Sequence, residues 1–359
     1  MNAPFRPALL AAPRCRLADP GEPGVAARIE RYLASTTRAT VFHEPRWLNA
    51  VSAGTGNRAL ALVAERGGEM CGYLPLVEAH SPIFGRILAS SGFAVGGGIL
   101  ADDAVTAREL AAAAEELALR RSASAVELRG GDLPAGRAGW TVSTSSHAGF
   151  VAPLAPDDEA QLLAIPRKQR AEVRKGLAHD LTVEIGTAPA DRAAHYAVYA
   201  QSVRNLGTPV FPRALFDTVM DALDADILTV RAGGVPVASV LSLYHRGSVM
   251  PYWGGGTRAA RGLRANDRMY FELMRHARAR GCTRFDFGRS KTGSGPFHFK
   301  RNWGFEPEPL AYATWAPPGT ALRDANPLSP KRARQTALWQ KLPLTIANRI
   351  GPWIARGLA

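Results

Sequence analysis

The sequence has few of the residues that build disulfide frameworks or zinc sites. Its three cysteines, Cys15, Cys71 and Cys282, form no CxxC pair and have no metal-ligand spacing from a histidine. A disulfide scaffold or a metal centre is therefore not predicted, and a reducing cytoplasm suits the composition. No run of about 18 apolar residues exists, so a membrane-spanning helix is not expected. The apolar run at 8–12 is too short for a secretory signal.

Common catalytic motifs are also missing. There is no GxSxG nucleophile elbow, no HExxH zinc-protease helix and no GxxxxGK[ST] phosphate loop. The eight histidines are dispersed along the chain, and Cys282 opens a predicted buried strand. Serine hydrolases, zinc proteases and P-loop nucleotide hydrolases are therefore not indicated.

Positive charge is what the sequence has in excess. The 359 residues include 44 Lys and Arg against 31 Asp and Glu, a formal charge of +13, and 46% of them are hydrophobic. We expect a globular protein of two domains that attracts phosphates, carried by nucleic acid, nucleotide sugars or anionic lipid headgroups. The charge alone does not choose among these partners.

The chain resembles itself at an offset of about 160 to 170 residues. Three pairs of segments match: VFHEPRWLNAV (41–51) with PVFPRALFDTV (209–219), LALVAERGGEMCGYLPLVE (60–78) with LTVRAGGVPVASVLSLYH (228–245), and AVELRG (125–130) with RFDFGR (284–289). The middle pair predicts two β-hairpins that turn at Gly67-Gly68 and Gly233-Gly234. The sequence therefore predicts two copies of one α/β unit.

A helix precedes the last matched strand of each copy. Thr106 and Glu109 predict a capping box for the first helix, which ends before Ser122, and Asn266 or Asp267 is expected to cap the second. Each copy then runs helix, hairpin, further strand, helix, strand. The predicted fold class is α/β (α+β), with helices flanking mixed, mostly antiparallel sheets.

A basic segment, IPRKQRAEVRKGLAHD (165–180), joins the two copies. Arg167, Arg170 and Arg174 share one face of the predicted helix. The segment is either a solvated connector or an anion-facing wall, and the second interpretation makes Arg170 a substrate contact.

The C-terminal tail, 327–359, combines six basic residues with interleaved aliphatic and tryptophan side chains and has no acidic residue. Such segments suit an anionic membrane interface. A pair of helices packed on the body explains the pattern equally well.

Four motifs together resemble the FemAB-like proteins, and more narrowly the branch associated with exosortase/PEP-CTERM systems of exopolysaccharide-producing bacteria. They are NLGTPVFP (205–212), MPYWGGG with its RGLRAND continuation (250–267), FDFGRSKTGSG (285–295) and FHFKRNWGFEPEPL (297–310). The resemblance covers roughly 25–315 and extends to the tail phrase LPLTIANRIGP. Each motif alone would be weak evidence.

The resemblance implies two tandem GNAT-like (acyl-CoA N-acyltransferase) domains with a cleft between them. We expect an N-terminal extension at 1–24, a first domain at 25–160, a second at 161–315 with the 165–180 connecting helix, and a basic amphipathic tail at 316–359. FemAB enzymes pass an amino acid from aminoacyl-tRNA to an amine of a peptidoglycan precursor, without a covalent intermediate or a required metal. No tightly bound cofactor is implied, and the donor, aminoacyl-tRNA or acyl-CoA, is a co-substrate.

In that family a Phe-Lys pair lies at the acyl-transfer centre, and here the matching residues are Phe299 and Lys300. Attack of an amine on an ester or thioester creates an oxyanion that a fixed ammonium stabilises. If the segment is an extended strand, Lys300 faces the cleft while the neighbouring rings pack on the other face. The alternative is an ordinary exposed lysine.

Substrate contacts are expected where the motifs place cations, rings and amides. The candidates are Arg289, Lys291, Tyr252, Trp253, Asn205, Thr208, Asn266 and Arg170. Arg289 and Lys291 are expected to hold a phosphate of donor or acceptor. AVGGGILADD in the first copy places two aspartates where a CoA pyrophosphate would bind, so that copy is not expected to bind CoA, and the second copy binds it poorly or binds another phosphorylated donor.

Three functions remain open from the sequence. The first is an acyl or aminoacyl transferase acting on an amine or hydroxyl of a phosphorylated or lipid-linked envelope or exopolysaccharide precursor. The second is an acetyl-CoA-dependent N-acetyltransferase. The third is a non-enzymatic adaptor beside the membrane or a nucleic-acid binder. A cytoplasmic protein, peripheral at the inner face of the plasma membrane through its tail, is the expected localisation.

Overall fold

The computed structural model describes residues 12–81, 85–134, 136–320 and 330–358 of the protein, and only the backbone at 330–335 and 358. Residues 1–11 of the predicted N-terminal extension (1–24) therefore lie outside the described residues. The same holds for the first part of the tail, 321–329, and for the side chains of Lys331, Arg332 and Arg334. The predicted division at residue 160 into two domains stays a prediction.

The described part of the chain contains fifteen β-strands. In chain order they are β1 (Arg14–Ala18), β2 (Arg58–Arg66), β3 (Glu69–Ser81), β4 (Gly85–Ser90), β5 (Leu100–Ala101), β6 (Ala125–Arg129), β7 (Trp140–Gly149), β8 (Val151–Pro153), β9 (Thr182–Gly186), β10 (Ala225–Ala232), β11 (Val235–His245), β12 (Ser248–Gly256), β13 (Arg284–Asp286), β14 (Ser290–Lys291) and β15 (Glu308–Trp315).

Twelve α-helices flank these strands in the same described ranges. They are α1 (Pro23–Ser35), α2 (Pro45–Thr55), α3 (Ala104–Arg120), α4 (Asp158–Ala164), α5 (Arg167–Ala178), α6 (Pro189–Leu206), α7 (Arg213–Ala222), α8 (Arg258–Gly262), α9 (Ala265–Ala279), α10 (Gly295–Asn302), α11 (Pro330–Lys341) and α12 (Leu344–Ala355). Among them none is long and apolar enough to cross a bilayer.

Two sheets form the centre of the molecule. The first has the order β1-β2-β3-β4-β6-β15-β7-β14, with β5 paired to β3, and the second has the order β8-β13-β12-β11-β10-β9. Only β4 with β6 and β12 with β13 pair in parallel within the described strands. The predicted class, mixed and mostly antiparallel sheets flanked by helices, is confirmed.

The two predicted hairpins are present as β2–β3 and β10–β11. Gly67 and Gly68 have φ values of +60° and +87°, and Gly233 and Gly234 have +53° and +78°. Two consecutive positive φ values define the turn that best matches the twist of antiparallel strands, and glycine adopts them without strain. The glycine pairs thus fix the register of both hairpins.

Helices α2 and α7, which the internal repeat relates, pack directly on each other between the sheets. At Gly54 the helices are so close that a Cβ atom would lie 2.4 Å from the Cα of Leu215. The Thr218 hydroxyl donates a hydrogen bond to the Ala50 carbonyl at 2.8 Å. An apolar cluster containing Trp47, Phe216 and residues of both sheets surrounds this contact. One continuous core therefore joins the two copies.

The two sheets exchange strands across the predicted boundary at residue 160. Strand β8 lies before this boundary but pairs with β13 of the second sheet. Strand β15 lies after it but inserts between β6 and β7 of the first sheet. The chain from β13 through β14 to β15 therefore passes from one sheet to the other at their junction.

Two predicted helix caps are wrong. The residue that caps α3 is Asp103, whose carboxylate accepts a hydrogen bond from the Thr106 amide at 2.7 Å, because the helix begins two residues before Thr106. Helix α9 starts after Arg264, which has a positive φ of +51°. Asp267 is therefore inside the first turn, where it accepts a hydrogen bond from Gln169 at 2.6 Å.

Candidate functional site

Strands β6, β15, β7 and β14 bring four cationic or aromatic residues together at the junction of the sheets. Tyr312 pairs with Arg129, and His147 pairs with Lys291. Paired residues of neighbouring antiparallel strands project to the same face. The His147 ring lies 5.3 Å from the Tyr312 ring, and the guanidinium of Arg289 donates to the Tyr312 hydroxyl at 3.2 Å. We call these four residues together with Arg289 the cationic cluster: Arg129, His147, Arg289, Lys291 and Tyr312.

The cationic cluster brings three positive charges close to His147. Burial, followed by the charges of Arg289, Lys291 and Arg129, lowers the pKa of His147 to about 4. The ring is therefore neutral at pH 7. Glu127 offsets part of the charge through an ion pair of 3.3 Å with Arg129. A half-buried group of three cations of this kind attracts phosphates and carboxylates.

A loop of the first copy forms one wall of the cluster. Three side chains from different strands donate to successive carbonyls of this loop: Tyr252 to Phe93 at 2.5 Å, Arg129 to Ala94 at 3.0 Å and Tyr312 to Val95 at 3.1 Å. Phe93 has a positive φ of +57°, a conformation that a non-glycine residue keeps only when its surroundings hold it. The wall is therefore rigid, and it joins both sheets.

Lys300 lies behind the chain segment that carries Arg289. Its ammonium donates to the carbonyls of Gly288 at 3.2 Å and Arg289 at 3.0 Å, and the residue is 9% exposed. Burial lowers the pKa of Lys300, the charge of Asp286 opposes this change, and the net pKa is about 8. Because an ammonium has three donors, one N–H remains for another acceptor.

The segment that carries Lys300 is a helix, and the predicted extended strand is wrong. Ser294 caps α10 by accepting from the Phe297 amide, and Pro296 occupies the first turn, where proline is tolerated. Phe297, Lys300 and Trp303 recur every three residues and are buried on the same side of the helix. The alternation of rings suggested a strand, but the Ser-Gly-Pro start favours a helix.

Two predicted site residues are in apolar cores. Phe299 packs against Tyr270 at 5.7 Å and Trp303 at 6.2 Å between ring centroids. Trp253 is buried against Trp47 and Phe216. Both rings support the site without lining the cationic cluster.

The remaining predicted residues lie at three other places. Asn266 is beside Gly256, and its Oδ1 is buried without a hydrogen-bond partner among the described residues. The Asn205 carbonyl accepts from Gln340 of the tail at 3.1 Å, and Thr208 is exposed nearby. Arg170 donates to the Leu163 and Ile165 carbonyls and lines a shallow depression of about 550 Å³ on the basic face of α5. These four residues are not part of the cationic cluster.

Sequence reasoning missed three members of the cluster: Arg129, His147 and Tyr312. The signal for Arg129 was available, because the internal repeat aligns the end of its strand, AVELRG, with RFDFGR. Each copy thus has an arginine at the end of the equivalent strand, as for Arg129, or shortly after it, as for Arg289. No local pattern marks His147 or Tyr312, which come together through pairing of β7 and β15.

Within the residues that the structure describes, no group of three or more His, Cys, Asp and Glu side chains is arranged to hold a metal ion.

Comparison with known families identifies a catalytic domain. Residues 167–301 match the family model described as Acetyltransferase (GNAT) domain. This range includes β12, β13, β14 and all of α10 except Asn302, and it contains Arg289, Lys291 and Lys300. The protein is an enzyme of the acyltransferase class. Comparison with curated protein sequences finds no match.

Solved structures confirm the tandem arrangement of the fold. The chain is similar to FemX with a TM-score of 0.62 at 15% identity, over 80% of this chain and 95% of FemX. A tandem GNAT protein from the clavulanic acid biosynthesis pathway gives 0.55 at 15% identity, over 87% and 100%. The C-terminal domain of a protein assigned as lysylphosphatidylglycerol synthetase, from Agrobacterium fabrum, gives 0.53 at 16% identity, over 80% and 91%. At these identities the similarity concerns the fold alone.

Proposed function

We propose that the protein transfers an acyl or aminoacyl group directly from its donor to an amine or hydroxyl of a phosphorylated cell-envelope or exopolysaccharide precursor. The observation that carries this proposal is the cationic cluster, which stands beside Lys300 in a chain with an acyltransferase domain. Arg289 and Lys291, with Arg129, hold a phosphate of donor or acceptor. The acceptor attacks the donor carbonyl, and the resulting oxyanion lies within reach of the third N–H of Lys300. Collapse of this intermediate breaks the ester or thioester bond of the donor. The tRNA hydroxyl or the CoA thiol then leaves with the proton that the acceptor gives up.

The choice of precursor rests on the motifs at 205–212, 250–267, 285–295 and 297–310, which resemble the exosortase/PEP-CTERM-associated FemAB-like branch. The similarity to FemX and to a protein named for lysylphosphatidylglycerol synthesis is consistent with an aminoacyl donor. The donor is then an aminoacyl-tRNA, whose phosphates a chain of charge +13 attracts.

The second candidate is an acetyl-CoA-dependent N-acetyltransferase, which the description of the matched family model favours. The two candidates differ in donor and share the cluster. The third function considered from the sequence, a non-enzymatic adaptor beside the membrane or a nucleic-acid binder, is not retained because the protein is an acyltransferase.

Titration calorimetry of the full chain with acetyl-CoA and with an aminoacyl-tRNA distinguishes the donors. The donor that binds should bind about tenfold more weakly or worse to Arg289→Met, since a charged hydrogen bond is lost. Arg284→Met is the matched control, because the Arg284 side chain is exposed and, among the described residues, donates to the Arg246 carbonyl alone. Equal binding by wild type and Arg289→Met would remove the cluster from the donor site.

Turnover of Lys300→Met then tests the acyl-transfer step. If the ammonium stabilises the oxyanion, turnover falls about a hundredfold or more. Lys175→Met, which removes an exposed ammonium paired with Glu172, should leave turnover unchanged. Near-normal turnover of Lys300→Met would refute the catalytic role of Lys300.

A further inference from the structure

Helix α12 has two chemically distinct faces. Its buried face consists of the small residues Ala347, Gly351 and Ala355. At Gly351 the helix is so close to the body that a Cβ atom would lie 3.1 Å from the Val210 amide nitrogen. The predicted packing of the tail on the body is therefore present for the described part of α12.

The opposite face of α12 carries large apolar side chains that nothing described covers. Ile346 is 47% exposed, Ile350 is 38% exposed and Trp353 is 54% exposed. Their spacing of four and three residues places them in one row along the helix. Leu338 of the adjoining α11 adds a further apolar side chain, 67% exposed. Exposed apolar groups arranged in this way mark a surface that contacts another apolar phase.

Positive charge accompanies this row. Lys341, Arg349 and Arg356 are exposed, and none of the ion pairs formed among the described residues involves them. No acidic residue occurs between 327 and 359. A partner that matches this face has an anionic surface over an apolar interior. A bilayer that contains acidic phospholipids has both.

We propose that the exposed face of α12 docks on the surface of an anionic bilayer, with Ile346, Ile350 and Trp353 in the headgroup boundary and the three cations against lipid phosphates. The helix lies flat on the membrane and does not span it.

The position of α12 relates this face to the cationic cluster. Gly351 contacts Val210, and the ring of the next residue, Phe211, lies 5.2 Å from the ring of Phe93. Phe93 belongs to the loop that walls the cluster. The docked helix is thus joined through Val210 and Phe211 to the loop that walls the cluster. This arrangement favours a lipid-linked acceptor, which the membrane presents. This choice of acceptor rests on the proposed transferase function, whereas docking does not.

Vesicle flotation of the full chain tests docking without any donor or acceptor. Wild type should float with vesicles of phosphatidylcholine mixed with phosphatidylglycerol and should not float with phosphatidylcholine alone. The bound fraction of Ile346→Ser/Trp353→Ser should fall about tenfold or more, because the inserted groups are removed. Arg349→Gln should weaken binding about fivefold, since one cation near the surface is lost. Val235→Ser is the matched control, because Val235 is an apolar side chain, 62% exposed, at the turn of the β10–β11 hairpin and outside the tail.

Equal flotation of wild type and Ile346→Ser/Trp353→Ser, or no flotation of wild type, would overturn the proposal. Equal flotation with neutral and anionic vesicles would overturn the role of the cations. If wild type self-associates in size-exclusion chromatography and the double variant does not, the face is an interface between two copies instead of a membrane surface. Flotation without acyl transfer would count against the proposed function alone.

Discussion

The burial of Lys300 predicts how the free energy of unfolding depends on pH. The folded chain holds this ammonium at a pKa of about 8, against 10.5 for an unperturbed lysine. At about 1.4 kcal/mol for each pKa unit, protonated Lys300 costs the folded state on the order of 3 kcal/mol at pH 7. Between about pH 8 and 10.5 the unfolded chain binds the proton more tightly, so the free energy of unfolding rises with pH in this window.

Replacing Lys300 by Met removes the charge and with it this pH dependence. The variant also loses the two hydrogen bonds to the Gly288 and Arg289 carbonyls, so its stability at pH 7 is similar to that of wild type. The difference in unfolding free energy, wild type minus variant, should grow by about 2 to 3 kcal/mol from pH 7 to pH 10. Other titrating groups are common to both proteins and cancel.

Urea unfolding followed by circular dichroism at several pH values measures this difference. Lys175→Met, which removes an exposed lysine, should stay parallel to wild type across the range. If Lys300→Met also stays parallel to wild type, Lys300 has an ordinary pKa and the burial argument is wrong. Turnover that depends on the ammonium should fall above the same midpoint near pH 8.

Two further predictions concern the scaffold around the site. Gly54→Ala should lower the free energy of unfolding in urea by about 2 kcal/mol or more, since its Cβ would lie 2.4 Å from the Leu215 Cα. Gly24→Ala is the control: a Cβ at Gly24 would have no atom within 4 Å among the described residues, so the change should be neutral or stabilising. Tyr252→Phe should lower the free energy of unfolding by about 1 kcal/mol, because its hydrogen bond to the Phe93 carbonyl is lost. It should also lower turnover, because the Phe93 loop is released. Tyr32→Phe, which loses a comparable bond to Asp102, should lose stability without loss of turnover.

Local patterns predicted the repeated unit well. The glycine pairs at both hairpin turns and the proline-led helices α2 and α7 are encoded within a few residues of each structure. The helix at Lys300 was missed because alternating rings outweighed the Ser294 cap. The Ser294 cap indicated a helix, but the segment was interpreted with the two-residue period of a strand.

The cationic cluster could be predicted only in part, for a different reason. Arg289 and Lys291 lie within one motif, but Arg129 and Tyr312 are separated by most of the second copy. They meet because β15 leaves its own copy and enters the sheet of the other. An internal repeat favours two separate sheets, so it gives no indication of this exchange.

The insertion of β15 between β6 and β7 also has a consequence for how the protein is made. Strands β6 and β7 leave the ribosome more than 150 residues before Glu308–Trp315, the strand that must lie between them. During this interval the first sheet has a gap at its interior, with two unpaired edges facing each other. Arg129 and His147 have no Tyr312 between them until the gap is filled. An unfinished chain that lacks β15 therefore has no assembled cationic cluster, and the cluster is completed only once β15 has been made.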